Sequence, residues 1–137
     1  MRKTITVVTH SDLARLRGLI DAGKRVITRD RAHVESLEEK LTRSEIVSDH
    51  QMPPSVVRMN SQVRIQDLDA ARRLDYTLVF PQDADIAEHR ISVLAPLGTA
   101  MLGQSAGDEI EWNVPGGVRR IKVEDVRPKP QGFRTAA

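Results

Sequence analysis

The chain has 137 residues, 39% of them hydrophobic but only 3% aromatic, so any core is built from Val, Leu, Ile and Met. Its 21 basic and 19 acidic residues leave a net charge of +2, and a pI of 9.3 that rests on so small an excess is no argument for nucleic acid. The lack of Cys excludes a disulfide framework, a thiolate metal site and a thiol nucleophile, and no apolar run approaches the roughly 18 residues of a membrane span.

In chain order, residues 4–8 form a short strand or an extended lead-in. They lack the length and small-residue cleavage site of a signal peptide, which makes the cytoplasm the expected location. Thr9 or Ser11 offers an N-cap oxygen, and Asp12 falls in the first turn, where the helix dipole favours negative charge. Leu13, Leu16, Leu19 and Ile20 recur at helical spacing, which predicts a helix over 11–22 that Gly23 ends. A basic connector leads to Thr28 or Asp30 as the next cap. The second helix is predicted over 31–47, with Val34, Leu37 and Leu41 on one seam among Glu35, Glu38, Glu39, Lys40 and Arg43. The pair reads as an antiparallel hairpin. Its apolar stripe is narrow, nearer a coiled-coil seam than a core helix; the alternative is a helix pair packed flat on the C-terminal domain.

Met52-Pro53-Pro54 is the predicted boundary, because two prolines stop a helix and stiffen the linker. It divides the chain into a hairpin, residues 1–52, and a C-terminal domain, residues 53–137. Residues 56–66 read as one or two strands bent near Asn60-Ser61, and residues 67–70 as a turn. In 74–80 the even-numbered Leu74, Tyr76, Leu78 and Phe80 face the core. After a polar, acidic loop over 82–89, the stretch 91–127 reads as strand, short helix, glycine turn, strand, hairpin, strand. Pro96 suits the first helical position, Leu97 and Met101 share a face, and Gly103 ends the helix with positive φ. Beyond Gly107-Asp108, Ile110, Trp112 and Val114 alternate with Glu109, Glu111 and Asn113. Val114-Pro115-Gly116-Gly117 predicts a type II turn or a slightly longer hairpin loop, and the return strand ends before Pro128. The remaining tail is expected to fray. The fold class is α+β.

No constellation for chemistry stands out. His10, His33, His50 and His89 are scattered without ligand spacing, and Ser92 and Ser105 have no evident His partner. Tyr76, Phe80 and Trp112 fall on predicted core faces, which leaves no stacking platform for single-stranded nucleic acid. Neither enzymatic activity nor a metal or other cofactor is expected.

Ile91-Ser92, Pro96-Leu97-Gly98, Ala100-Met101-Leu102-Gly103, Gly107-Asp108 and Pro115-Gly116-Gly117 together closely resemble the C-terminal domain of the bacterial Gre transcript-cleavage factors. Met52-Pro53-Pro54, followed by Val56-Val57-Arg58-Met59-Asn60-Ser61-Gln62-Val63, is similar to the junction in the Rnk family of nucleoside diphosphate kinase regulators. That family joins a Gre-like C-terminal domain to a shortened helical hairpin, and the resemblance spans nearly the whole chain. It implies an FKBP-like body that docks on RNA polymerase at the rim of the secondary channel. The contact loop it implies is Leu94, Ala95, Pro96, Leu97 and Gly98. Leu94-Ala95 stands where Gre factors usually carry a polar pair, so hydrogen-bonding side chains are missing there.

A Gre factor acts by reach, with two acidic residues at the tip of a long coiled coil helping to hold the polymerase's catalytic magnesium. Here a first helix of about 12 residues spans only about 18 Å. Lys24, Arg25, Arg29 and Arg31 crowd the tip, and only Asp21 and Asp30 flank it. Hard cations need several oxygen ligands close together. The expectation is therefore a monomeric polymerase-binding regulator that competes with Gre factors without stimulating cleavage. The alternatives are direct contact with nucleoside diphosphate kinase and salt-sensitive nucleic-acid binding through the basic tip. With so few aromatic residues, the prolyl isomerase activity found among FKBP-like folds is not expected.

Overall fold

The computed structural model describes residues 6–24, 31–114 and 116–127, without the side chains of 112–114. The expectations for Thr4, Ile5, residues 25–30, Pro115, the side chains of Trp112 and Val114, and the tail from 128 lie outside the described residues. Strand β1, Val7–Thr9, runs directly into helix α1, His10–Lys24. Thr9 is the residue that caps it, its Oγ1 accepting the Asp12 N–H at 3.2 Å. Gly23 does not end the helix as predicted but lies inside it. A Cβ there would sit 2.8 Å from Val34 Cγ2, so the missing side chain lets the second helix close in.

Helix α2 covers Arg31–Thr42 and stops five residues before its predicted end. The hydroxyls of Thr42 and Ser44 bond back to the carbonyls of Glu38 and Lys40, which competes with helix continuation. Residues Glu45–Val47 become strand β2, parallel to β1 in the register Val7↔Glu45 to Thr9↔Val47. Both helices are thus bracketed by a two-stranded ribbon, and Val7 N–H donates to Gly103 O at 3.1 Å to tie the ribbon to the rest of the molecule.

The body is a five-stranded sheet in the order β5-β4-β3-β7-β6. Its strands are β3 Gln62–Asp67, β4 Arg72–Val79, β5 Arg90–Ser92, β6 Glu109–Val114 and β7 Gly117–Arg127. Pairing is antiparallel except for the short edge strand β5, which runs parallel to β4. The predicted bend near Asn60-Ser61 is a turn, with Asn60 at φ 71° just before β3. Asp67 builds the next turn by accepting the N–H groups of Asp69 and Ala70 at 3.0 Å, and it also pairs with Arg119. In the β6–β7 hairpin Val114 pairs with Gly117, so the loop is two residues long, and Gly116 takes φ 93°. The outward face of the sheet carries Arg64–Asp75 at 2.9 Å and Arg73–Glu124 at 3.0 Å.

Leu74 and Tyr76 pack against the core only partly buried, with Asp75 and Thr77 likewise partly buried, and the predicted alternation fails outright at Leu78, Val79 and Phe80, which are all buried. Helix α3, Pro96–Met101, follows β5 with Pro96 at its first position, and Gly103 beyond it has φ 80°, both as predicted. The hairpin's narrow seam does not stand free as a coiled coil. Val8, Leu16, Ile20, Val34, Leu37 and Leu41 belong to one buried cluster with Val57, Met59, Val63, Phe80 and Met101. Arg15 adds a cation–π contact, its guanidinium 4.2 Å from the Phe80 ring centre.

Candidate docking loop and hairpin tip

The loop between β5 and α3 is rigid for reasons written in its residues. Ser92 Oγ accepts the Leu94 N–H at 3.0 Å and Ser92 O accepts the Ala95 N–H at 3.0 Å, so one serine folds the chain back. Thr99 then closes the first turn of α3 twice, with its N–H on Ala95 O at 2.9 Å and its hydroxyl on Val93 O at 2.6 Å. Gly98 is buried beneath this turn, and a Cβ there would lie 2.0 Å from Ser92 O. No side chain fits at that spot. Pro96 is exposed, whereas Leu94, Ala95 and Leu97 are half-buried against the core. The predicted residues therefore form one preformed, apolar ridge with Pro96 at its crest. Nothing in it can donate a proton or ligate a metal.

The tip residues are less free than their charge suggests. Lys24 Nζ lies 2.7 Å from Glu38 Oε2, and Arg31 Nε lies 3.6 Å from Glu35 Oε2. Both pairs are half-exposed and contribute little to stability, yet they offset part of the positive charge. Arg25 and Arg29 lie outside the described residues. Asp21 is exposed in the last turn of α1. Among the described residues no group of three or more His, Asp or Glu is placed to hold a metal ion.

Two functional-looking charges escaped the sequence reading, and both lie where the hairpin meets the body. Lys40 Nζ donates to Thr99 O and Ala100 O, each at 2.7 Å, and so satisfies two carbonyls left open at the C-terminal end of α3. Burial first, and the nearby Arg43 second, push its pKa down to about 7. Asp12 is 6% exposed, and its Oδ2 accepts the Met59 N–H at 3.0 Å with Arg58 Nε at 3.9 Å. Burial raises its pKa, opposed by the Met59 N–H and by Arg58. Arg58 also reaches Asp49, which takes the Ser11 hydroxyl at 2.8 Å; that hydrogen bond is the main reason the Asp49 pKa is lowered.

Lys40 gives the protein a pH signature. The unfolded chain keeps the lysine proton up to the ordinary lysine range, whereas the folded chain releases it near 7. Between those values the unfolded state binds more protons, so stability rises with pH above about 7. The charged group that faces Lys40 is Arg43 on its own helix, and α3 carries no ionisable side chain. Urea midpoints measured at pH 6.5 and 9 are expected to increase for the wild type and to differ less for Lys40→Met; equal slopes would remove Lys40 as the cause.

Comparison with known proteins identifies this architecture. Residues 52–128 match the family model of the GreA/GreB transcription elongation factor C-terminal domain, and residues 6–47 match the Rnk N-terminus. The chain belongs to the Rnk family. It is 36% identical to the regulator of nucleoside diphosphate kinase of Escherichia coli K12 over 98 residues, 71% of this chain and 72% of that protein. Transcription elongation factor GreA of Sinorhizobium medicae is 29% identical over 114 residues, 83% of this chain and 72% of the relative. Among solved structures, a GreA/GreB elongation factor of Nitrosomonas europaea superposes with a TM-score of 0.73 at 38% identity, covering 89% of this chain and 98% of that one. The Rnk match covers β1, both helices and β2, and the Gre match covers the sheet and the ridge at 94–98.

Proposed function

We propose that this Rnk-family protein is a non-catalytic transcription regulator that binds RNA polymerase at the rim of the secondary channel and competes there with Gre factors. The observation that carries the reading is the ridge at 94–98, which is apolar, preformed and locked by Gly98 against Ser92. A ridge that loses no conformational freedom on binding retains more of its contact energy. Polymerase binding comes from the Gre-like half, and obstruction of the channel entrance from the hairpin. At 15 residues α1 is roughly 22 Å long, which limits reach into the channel. We take residues 1–52 as the obstructing unit and 53–137 as the docking unit, acting as a monomer.

The test is co-sedimentation with core polymerase. Wild-type protein is expected to bind and to be displaced by a Gre factor. Pro96→Ala combined with Leu94→Asp is expected to weaken binding roughly tenfold or more, the effect of losing about 1.4 kcal/mol of contact. Melting temperature is followed alongside, because Leu94 also touches the core. No binding by folded wild-type protein ends the proposal, and stimulated RNA cleavage in a backtracked complex ends its non-catalytic part.

The name of the Escherichia coli relative supports a second reading, direct contact with nucleoside diphosphate kinase. Mixing the two purified proteins in sedimentation velocity tests it, and two independent boundaries at micromolar concentration would remove it.

A further inference from the structure

We propose that the helical hairpin is a rigid strut and not a swinging arm, because Asp12 and Lys40 pin its base to the body at two separate points and so, with the tie between Val7 and Gly103, fix where Lys24 and Arg31 stand relative to residues 94–98. The apolar contacts of Leu16, Val34 and Leu37 hold the helices against the body. Such contacts are non-directional, and on their own they would permit sliding and rotation. The two pins are directional. Asp12, at the start of α1, accepts the N–H of Met59 in the turn ahead of β3. Lys40, near the end of α2, donates to the last carbonyls of α3.

One pin therefore comes from each helix, and each lands on a different element of the body. A single point of attachment would leave the hairpin free to rotate, and two leave only rotation about the line joining them, which the Val7 N–H bond to Gly103 O blocks as a third tie. Asp12 is buried, and a shift of the helix by one turn would leave its charge and the Met59 N–H without partners. Buried charged groups give little net stability but penalise every wrong register. Around them the base is drawn tight by the parallel pairing of β1 and β2, by Thr6 Oγ1 with Ser44 Oγ at 2.7 Å, and by Arg58 between Asp12 and Asp49. Lys40 also grips the far end of the helix whose first residues carry the docking ridge. Ridge and strut therefore move as one piece.

The chain has no Cys, so two introduced thiols can be labelled without background. Ala22→Cys on α1 and Arg72→Cys on β4 are exposed positions on the two units. Spin labels there are expected to give one narrow distance distribution by pulsed dipolar spectroscopy. Lys40→Met keeps the apolar stem and loses the donors, and Asp12→Leu keeps the volume and loses the acceptor. Each is expected to broaden the distribution or add a second population, and Lys40→Arg is expected to restore much of the narrow one. A broad distribution in the parent, or an unchanged narrow one in both variants, overturns the proposal.

Hydrogen exchange on the unmodified protein decides the matter where a variant fails to fold. Amides of α1 and α2 protected to within roughly tenfold of those in β3 are expected from a strut, whereas a deficit of roughly a thousandfold means an arm that opens alone and overturns it. Neither measurement contains polymerase, so both are decided independently of the docking reading.

Discussion

Gly98→Ala is expected to lower the melting temperature by about 10 °C and to remove the proposed polymerase binding. The added methyl would meet Ser92 O at 2.0 Å and Val93 Cα at 3.1 Å, both backbone atoms, which cannot rotate away as a flexible side chain can. Relief requires lifting the first turn of α3 from the loop that folds under it. That breaks the Thr99 hydroxyl bond to Val93 O and the N–H bond to Ala95 O. Overpacking and lost hydrogen bonds together cost about 3 kcal/mol. For a chain of this size that corresponds to about 10 °C.

Gly18→Ala serves as the control. Gly18 is an exposed residue inside α1 with nothing within 4 Å of a new Cβ, so the same substitution is expected to stabilise by about 0.5–1 kcal/mol. Calorimetry on the two variants should give opposite signs. If Gly98→Ala melts like the wild type, the tight seat of α3 is not what shapes the ridge.

Leu37→Ala is expected to destabilise the whole molecule by about 3 kcal/mol, with the helices and the sheet still unfolding together. Leu37 is 0% exposed and belongs to the buried cluster that also holds Val57, Val63 and Met101. A cavity left there is not local to the hairpin. Far-UV circular dichroism reports mainly the helices, and the fluorescence of the single Trp on β6 reports the sheet. Coincident urea transitions for both probes, shifted to lower midpoint, are the expected result. An early dichroism transition at unchanged fluorescence midpoint would show that the hairpin's seam is private to the hairpin.

Much of this was legible in the residues. Leu16, Ile20, Val34 and Leu37 announced two amphipathic helices, and Pro96, Gly103 and Gly116 marked the start of α3, the turn beyond it and the β6–β7 hairpin from backbone chemistry alone. Elements made by partners distant in sequence were not legible. Glu45–Val47 continues a helical composition, and only its pairing with Val7–Thr9, 38 positions earlier, makes it a strand. Three residues are too few to show a period of two. Gly23 looked like a stop signal because its other use, making room for Val34, depends on how the helices cross.

The candidate site divided the same way. The loop at 94–98 was marked out by its resemblance to the contact loop of Gre factors, and only its shape, held by local hydrogen bonds of Ser92 and Thr99, could follow from the order of residues. Lys40 and Asp12 could not, because a buried charge and a solvated one are spelled with the same letter. Asp12 looked like a first-turn carboxylate and serves a backbone N–H 47 positions away. Lys40 sat among the charged neighbours of the seam, and its partners lie 59 and 60 positions on. The tip gave a third lesson: Lys24 and Arg31 look like a basic patch in a linear reading, but Glu38 and Glu35 stand opposite them.

The tie between Val7 and Gly103 bears on how this protein is made. Helices α1 and α2 are made before the groups that complete their base: Met59 follows soon after α2, but the end of α3 only much later. At about 10 residues per second, the roughly 60 residues between the end of α2 and Gly103 take about 6 s. Until then Leu16, Ile20, Leu37 and Leu41 lack Met101 and the Val7–Gly103 tie, although Val57, Met59, Val63 and Phe80 have already been made. A nascent chain stalled before Gly103 should bind chaperones, and one stalled after α3 and Gly103 have emerged should bind them less.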